Sequence, residues 1–444
     1  MGYLLSFAVF FAAILVCLLR GYSIAWALGL ALALFFGVSL RRGFRAGQLF
    51  AMIRGKMPAA MIVIRILFLI GILTGLWRSC GTIAFCIYHG IRTITPPLFV
   101  LVAFLLTVLL SYALGTSFGV TSTAGVVLMA IARTGGVSPA IAAGAILSGV
   151  YFGDRGAPTS SCASLVAALT ETELYGNVKR MFQTAALPYV LCLAFYTALS
   201  LKNPVAALDN AMLPALAEQF DLSPWTVLPA AVMIVLPLLR VPIRIAMTIS
   251  GAAAFVITVL LQGTGVREAV QICLLGYHPA RGMLTEVLSG GGVLSMLAAL
   301  FLIALSAANT GILEGTGALN AAQEKLRALS GRIGRLATMN LVCVAASMVF
   351  CNQTVVVMMA HQLLKSEYQA SGAEHEEMAM DLANSGVMTA GLVPWCIACA
   401  IPLSMLGVGA EALPYAALLY LVPICYLFTK RFFYPETGER SASK

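Results

Sequence analysis

The chain has 444 residues, of which 60% are hydrophobic and only 10% are charged, and its mean hydropathy is +0.94. A soluble domain carries roughly a quarter charged residues. These proportions therefore exclude an ordinary soluble protein and indicate that the surrounding solvent is lipid. A membrane-spanning helix needs about 20 mostly apolar residues, so a chain of this length has room for roughly ten to twelve spans with short connections.

The net charge of +9 does not indicate a nucleic-acid surface, because the basic residues lie in short connections between apolar segments, as membrane topology requires. No small-residue cleavage site follows the first apolar run, residues 3–19, so we expect a first transmembrane helix rather than a cleaved signal. The eleven cysteines are scattered mainly along apolar segments. We expect neither a metal site nor a resident cofactor.

Apolar segments follow one another along the chain and are predicted to be helices. The connection 41–56 is the most basic on the chain, and cationic connections stay in the cytoplasm. Because residues 3–40 make one out-and-back pair, we expect both termini in the cytoplasm of a multi-pass inner-membrane protein. The apolar segments cover residues 3–19, 22–40, 57–77, 98–114, 183–201, 227–239, 245–261, 293–307, 333–350 and 415–428.

Two stretches, residues 111–168 and 349–401, place Gly, Pro, Ser, Thr and Asn inside otherwise apolar sequence. Gly and Pro interrupt helices and leave backbone groups without partners. At membrane depth such backbone survives only where it is buried in protein or lines a water-filled cavity. Both stretches are therefore predicted to be broken membrane segments.

The two stretches also resemble each other. Gly-Thr-Ser at 115–117 and Asn-Gln-Thr at 352–354 each precede a Val-rich run, and Ser-Gly-Val at 148–150 and 385–387 each precede a Pro. Paired interrupted segments in corresponding positions are typical of transporter binding sites. The alternative is a pair of close-packed, Gly-rich helices, which need no Asp, Asn or repeated Pro.

Seven motifs in chain order carry a further signal: LIGILTGLWRSCGTIAFCIYHGI (69–91), SYALGTSFG (111–119), SGVYFGDRGAP (148–158), VKRMFQTAALPYV (178–190), SGGGVLSML (289–297), ANTGILEGTGAL (308–319) and SGVMTAGLVPW (385–395). Together they resemble the NhaC-type sodium/proton antiporters of the ion-transporter superfamily, over most of the chain. The resemblance implies inverted repeats with re-entrant hairpins and broken helices that meet near the membrane centre.

The chain departs from this family's motifs at positions that bear on ion binding. After the Gly-Asp pair, Arg155 stands for the family's Lys, Ala157 for a Ser and Ser161 for a second Asp. Residues 383–384 are Ala-Asn where the family has an acidic pair, and Val120 replaces the usual Thr. Loss of carboxylates weakens the case for high-affinity sodium/proton exchange and leaves room for a relative that carries an organic solute.

Asp154 lies between an apolar run and the Gly-Ala-Pro break. An intramembrane carboxylate is costly and is a functional hypothesis by default. We predict that Asp154 is a cation or proton ligand whose ionisation changes as the site opens. The alternative is a structural ion pair, and because adjacent helical residues do not face each other, Arg65 is a better partner for it than Arg155.

Hydroxyl and amide groups beside the breaks are further candidate ligands for an ion or substrate. Half-helix N-termini there would favour an anion, and exposed carbonyls would favour a cation. The alternative for each side chain is a helix-to-helix hydrogen bond. Besides Asp154, the candidates are Thr116, Ser117, Pro158, Thr159, Ser160, Ser161, Asn352, Gln353, Thr354, Asn384, Ser385 and Thr389.

Four charged residues are candidate gating residues or charge partners: Arg65, Arg155, Glu314 and Asp381. Arg65 would bind a carboxylate substrate or neutralise Asp154. Glu314 is equally typical of a solvated helix end or a partner for Lys or Arg. Asp381 and Glu377 are more typical of a solvated helix start, although Asp381 is close enough to line a path to the site.

We therefore predict an all-α polytopic membrane protein with two inverted repeats, residues 1–222 and 223–444. The predicted function is secondary active transport by alternating access, as Na⁺/H⁺ antiport. The alternative is a Na⁺- or H⁺-coupled carrier of a small organic solute, such as an amino acid or carboxylate. A channel would show uncoupled flux, and a membrane enzyme would need a nucleophile–base set that the sequence does not display.

The expected partners are the lipid bilayer and Na⁺, H⁺ or both, with Na⁺ as a candidate coupling ion. A small organic solute and a second copy of the chain in a homodimer stay open. Nucleic acid is not expected. ATP is not expected as the energy source, because the chain has no Gly-Lys-Ser/Thr phosphate loop.

Overall fold

The computed structural model describes residues 2–20, 22–23, 25–93, 96–204, 212–239, 241–279, 288–317, 329–370 and 375–434. Within these ranges the regular structure is helical, and the one pairing of extended backbone is an isolated bridge between Tyr277 and Gly290. The predicted all-α class is confirmed.

The first part of the chain forms a helical pair and a long bent segment. Helices α1 and α2 pack on each other, and α3 makes an angle of 60° with α4 at a break between Ser79 and Thr82. The left-handed backbone of Gly81, with φ 83°, makes this bend. The bounds are α1 Gly2–Arg20, α2 Ala25–Arg41, α3 Ala46–Ser79 and α4 Thr82–Thr93.

The next five helices contain the first interrupted stretch. Helix α6 includes a π-helical turn at Thr121–Gly125, a feature often found at functional sites. Two short non-helical links separate α5 from α6 and α7 from α8. The bounds are α5 Phe99–Leu114, α6 Ser117–Thr134, α7 Pro139–Gly156, α8 Ser161–Thr170 and α9 Leu174–Lys202.

A second group of helices then packs against the first group. A 3₁₀ turn, Val293–Met296, leads directly into the last of them. The bounds are α10 Met212–Gln219, α11 Leu228–Leu238, α12 Ile243–Leu260, α13 Val266–Leu275 and α14 Leu297–Gly315.

The last five helices contain the second interrupted stretch. Helix α17 runs over residues 375–390 and has its own π-helical turn at Ala383–Val387. The bounds of the others are α15 Arg335–Phe350, α16 Gln353–Ala370, α18 Ile397–Leu406 and α19 Ala417–Phe433.

Helices α5 to α9 and α15 to α19 follow the same order of lengths and breaks. Helices α5 and α15 have 16 residues each, α6 and α16 have 18 each, and α8 and α18 have 10 each. A two-residue break follows the first helix of each set. The break before the fourth helix has four residues in the first set and six in the second. Both stretches that the sequence predicts to be interrupted are interrupted.

The packing between these two sets is reciprocal. Helix α8 packs on α16 while α18 packs on α6, and α9 packs on α17 while α19 packs on α7. Two contacts outside these sets are related in the same way: α2 packs on α14, and α12 packs on α3. In each of these three pairs, one contact corresponds to the other with the halves of the chain exchanged.

Small residues let α5 and α7 pack at very short range. A side chain on Gly149 would overlap Thr107, and one on Gly153 would overlap the backbone of Ser111. The hydroxyl of Ser111 donates to the Gly149 carbonyl at 2.7 Å and accepts from the Gly153 N–H at 3.0 Å. Close backbone approach of this kind is typical of helix pairs in membranes.

Three helices in the described ranges are long and apolar enough to cross a membrane alone, and a fourth span results if the bent pair around Gly81 is counted as one. Seven further apolar helices have 10–17 residues. Several of these are the halves of the interrupted stretches. The predicted number of ten to twelve spans therefore stays a prediction.

Candidate functional site

The site begins at two turns where helices stop inside the bundle. After α5 the chain turns at Gly115, with φ 67°, and Thr116 then caps α6 by accepting a hydrogen bond from the Gly119 N–H at 3.3 Å. After α15 it turns at Cys351, with φ 52°, and the Asn352 side chain caps α16. A left-handed backbone is uncommon for a residue other than glycine, so Cys351 carries some strain that Gly115 avoids.

A third turn separates α7 from α8. Ser160 caps α8, since its hydroxyl oxygen accepts from the N–H groups of Cys162 at 3.1 Å and Ala163 at 3.2 Å. The same hydroxyl donates to the main-chain carbonyl of Asp154. Thr159 packs against Gly115, where no side chain would fit. These contacts fix the end of α7, which carries the Asp154 carboxyl group.

Asp154 is 5% exposed and its carboxyl group is held by neutral groups. Gln353 Nε2 donates to Asp154 Oδ2 at 3.2 Å and to the carbonyl of Val387 at 3.0 Å. Ser117 and the Cys162 thiol also interact with the carboxyl group. No ion pair to Asp154 occurs among the described residues. The carboxyl group lies where α6, α8 and α16 begin, close to their partially positive N-termini.

Arg155, the next residue, points elsewhere and is 1% exposed. Its Nε donates to Asn384 Oδ1 at 3.0 Å, and its Nη2 donates to the Met181 carbonyl at 2.8 Å and to Thr184 Oγ1 at 2.9 Å. Within the described ranges it has no acidic partner. A buried cation without a counter-ion is costly, so the neutral acceptors on α9 and α17 hold it in place.

Three polar atoms near the π-helical turn of α17 are buried without a protein partner: Asn384 Nδ2, Ser385 Oγ and Thr389 Oγ1. Buried polar groups are usually hydrogen-bonded, and exceptions call for an explanation such as an ion, a ligand or a water. Asn384 Oδ1 already accepts from Arg155, so the atom of this side chain without a partner among the described residues is the amide nitrogen.

The remaining candidates lie at the edges of the site or outside it. Thr159, Ser161 and Thr354 are exposed, and Pro158 and Asn352 are half-buried. Arg65 is exposed on α3, and no hydrogen bond or ion pair joins it to Asp154 in the part of the chain that is described. The structure thus brings together Asp154, Ser117 and Gln353, and separately Arg155 and Asn384.

Asp381 and Glu377 are buried, which corrects the expectation of a solvated helix start. Glu377 pairs with Arg335 at 2.9 Å and with Lys430 at 2.7 Å. Asp381 is fully buried and contacts both the Lys430 ammonium and the Tyr368 hydroxyl. The sequence pattern is misleading here because the cations come from α15 and α19, far away along the chain. We call Arg335, Glu377, Asp381 and Lys430 the ionic cluster.

Glu314 forms an ion pair with Lys56. Of the two environments expected for it, a solvated helix end and a partner for Lys or Arg, the structure shows the second. This pair joins the end of α14 to the beginning of α3. The two helices run in opposite directions here, since α14 begins beside the opposite end of α3, where the Gly292 N–H donates to the Gly71 carbonyl.

Several residues of the site could not have been selected from sequence. For Cys162, the only sequence feature that indicates a role is its position directly after the α7–α8 break. Thr184 and the Met181 carbonyl lie on the regular helix α9, where no sequence feature distinguishes them. Cys396 and Cys399 share a CxxC spacing, but both are buried free thiols. No group of three or more metal-ligating side chains occurs among the described residues.

The arrangement can bind a monovalent cation or a proton. A carboxylate held only by neutral donors has no permanent counter-ion, so a mobile cation can take that role. Hydroxyl, amide and main-chain oxygens close to it are suitable ligands for a hard cation. Because the donors come from both halves of the chain, movement of one half against the other would change the environment of Asp154.

Comparison with known proteins agrees with this chemistry. A model of the Na⁺/H⁺ antiporter family matches residues 149–430. The chain is 27% identical to the Na⁺/H⁺ antiporter NhaC of Alkalihalophilus pseudofirmus, over 89% of this chain and 86% of the relative. It is 25% identical to the malate-2H⁺/Na⁺-lactate antiporter of Bacillus subtilis, over 97% and 96% respectively.

A third relative broadens the range of solutes. The chain is 28% identical to the arginine/ornithine antiporter ArcD of Halobacterium salinarum, over 88% of this chain and 83% of the relative. All three relatives are antiporters, and the family match covers more than half of the chain, including Asp154 and the whole second interrupted stretch. The chain is a multi-pass membrane transporter and belongs to the Na⁺/H⁺ antiporter family.

Proposed function

We propose that the protein is an ion-coupled antiporter in which Asp154 binds Na⁺ and H⁺ alternately. The observation that carries the proposal is a buried carboxyl group held only by neutral donors from both halves of the chain. Na⁺ binding requires the ionised form, and protonation releases the cation. Competition for one carboxyl group couples the two gradients without a second titrating residue.

The proposal includes alternating access between two inverted repeats, residues 1–222 and 223–444. Its support is the reciprocal packing of α8 on α16 and α18 on α6, together with the matched helix lengths. In such transporters the ion site lies near the membrane midplane, at discontinuous helices. The Arg41–Lys56 connection would face the cytoplasm of an inner membrane, with both termini on that side.

A second candidate is exchange of a small organic solute, favoured by a different observation. Arg155 is a buried cation without an acidic partner in the described chain, and Asn384 Nδ2, Ser385 Oγ and Thr389 Oγ1 lie unpaired close by along α17. Two relatives are named for carboxylates or amino acids. A carboxylate-bearing solute would supply the missing acceptor for these groups.

Flux in proteoliposomes distinguishes the two candidates. Vesicles containing a pH-sensitive dye are given an inward or outward Na⁺ gradient, with choline as the replacement cation. Proton movement that depends on Na⁺ alone supports Na⁺/H⁺ antiport. Counterflow of lactate, malate, arginine or ornithine, with no Na⁺-driven proton movement in their absence, supports the second candidate. Neither activity from a folded, reconstituted protein would contradict both.

A further inference from the structure

A cavity of about 190 Å³ opens at the end of the bundle opposite the Lys56–Glu314 pair. It lies between the last turn of α3, the helix α6, the segment 289–296 and the end of α18. None of the residues lining it belongs to the Asp154 site. The cavity is therefore a separate feature that ion binding at Asp154 does not explain.

Two arginines line this cavity, Arg78 on α3 and Arg133 on α6. Both side chains line the same space, and the positive charge of Arg133 acts on the Arg78 guanidinium group. Neither forms an ion pair with any of the described residues. An anion between two like charges that line one cavity would offset their repulsion.

The polar contacts of the two arginines leave donors free. Arg78 Nη1 donates to the Thr74 carbonyl at 2.9 Å, but Arg78 Nε is buried and has no acceptor among the described residues. Arg133 Nη2 donates to the carbonyls of Leu406 at 3.0 Å and Gly407 at 2.8 Å, at the end of α18. The Ser289 hydroxyl, also in the lining, is buried and has no partner in the described part of the chain.

A simpler explanation is that both arginines only stabilise helix ends, as Arg133 does for α18. Such a role accounts for the contacts of Arg133. It does not account for the buried Arg78 Nε or the Ser289 hydroxyl, which remain without acceptors. The beginning of the Val293–Gly315 helical segment also faces the cavity through Ser295 and Met296, and a helix N-terminus favours negative charge.

Part of the lining is apolar. Val126, Met129, Met405 and Leu406 form this wall. A chloride or phosphate ion would leave that wall in contact with water, whereas a short carbon chain would cover it. Guanidinium groups match the planar, two-oxygen geometry of a carboxylate.

We infer that the cavity is a binding site for a small carboxylate, whose charged group lies between Arg78 and Arg133 and whose carbon chain contacts the apolar wall. The Ser289 hydroxyl donates to the same carboxylate or to a second polar group of the ligand. The site concerns binding and does not depend on which gradient drives transport at Asp154.

Calorimetric titration of the purified full-length protein in detergent tests this inference without any ion gradient. Lactate and malate are titrated at constant Na⁺ concentration and ionic strength, and chloride and phosphate are titrated in parallel. We expect saturable binding of at least one carboxylate. Arg78→Gln and Arg133→Gln should each weaken it about tenfold or more, because each removes a charge-assisted hydrogen bond.

Arg267→Gln is the matched control, because Arg267 is an exposed arginine on α13 outside the cavity. Arg78→Lys keeps the charge and should retain part of the affinity. If Arg78→Gln does not fold, Arg133→Gln tests the same site, since its side chain is only partly buried. Three results would overturn the inference: no saturable carboxylate binding, binding of inorganic anions only, or loss of binding in Arg155→Gln but not in the two cavity variants.

Discussion

Gln353 Nε2 lies 3.2 Å from Asp154 Oδ2 and 3.0 Å from the carbonyl oxygen of Val387. One amide group therefore joins the carboxyl group of α7 to the π-helical turn of α17. This contact crosses 199 positions of sequence, and it places the buried carboxyl group of Asp154 at the meeting point of both interrupted stretches.

Replacing Asp154 with Asn should abolish Na⁺-driven proton movement while leaving the protein folded. The substitution keeps the size and removes the charge, and burying a neutral amide costs less than burying a carboxylate. Dye-detected flux in proteoliposomes and a thermal melt in detergent measure the two properties. Asp221→Asn, at an exposed position, is the control. Normal coupled flux from a stable Asp154→Asn protein would contradict the role of Asp154, and Asp381 would be the next carboxyl group to test.

Replacing Asn384 with Ala should destabilise the protein by about 1–3 kcal/mol, because it leaves the buried Arg155 Nε without an acceptor. Asn384→Asp restores an acceptor and adds a counter-charge, so it should melt at a clearly higher temperature than Asn384→Ala. Melting curves of both variants in the same detergent make the comparison. Equal melting temperatures would mean that Arg155 does not depend on this contact.

Replacing Gly153 with Ala should destabilise the α5–α7 pair by about 1–3 kcal/mol, because the added methyl group overlaps the backbone of Ser111. Gly251→Ala is the matched control. Gly251 lies within α12 with open space around it, and alanine there should be neutral or slightly stabilising. Thermal melts in detergent check both. A Gly153→Ala protein as stable as the Gly251→Ala protein would show that α5 and α7 can separate at little cost.

A cysteine introduced at Gly47, which is exposed in the first turn of α3 within the basic segment 41–56, should resist an impermeant thiol reagent added to intact cells. The reason is that clustered cations keep a short connection in the cytoplasm. A cysteine at Ala410, exposed beyond α18, should react. The end of α18 lines the same cavity as the end of α3 that is opposite the basic segment, so we expect it on the other side of the membrane. Both variants are made in a background that lacks the native cysteines. The opposite labelling pattern would invert the proposed topology.

Much of the architecture could be predicted from sequence, since apolar segment lengths and polar interruptions are local properties. The breaks after Leu114, Gly156, Phe350 and Ala390 all fall in the two predicted stretches. A turn at a glycine such as Gly115 is easily anticipated.

The partners of charged groups could not be predicted in the same way. Arg155 turns towards α9 and α17 rather than towards a carboxylate, and Arg65 faces outwards. Asp381 is buried because Lys430 reaches it from α19, 49 positions later. Each of these outcomes depends on which helices pack together, and a pattern within one helix carries no information about that.

The ionic cluster has a mechanical consequence. It contains two acids, Asp381 and Glu377, and two bases, Arg335 and Lys430, so its formal charges cancel. Because separating any of the four in a low-dielectric environment is costly, the ends of α15, α17 and α19 are tied into a single unit. In a transport cycle we expect the joined ends of these three helices to move together.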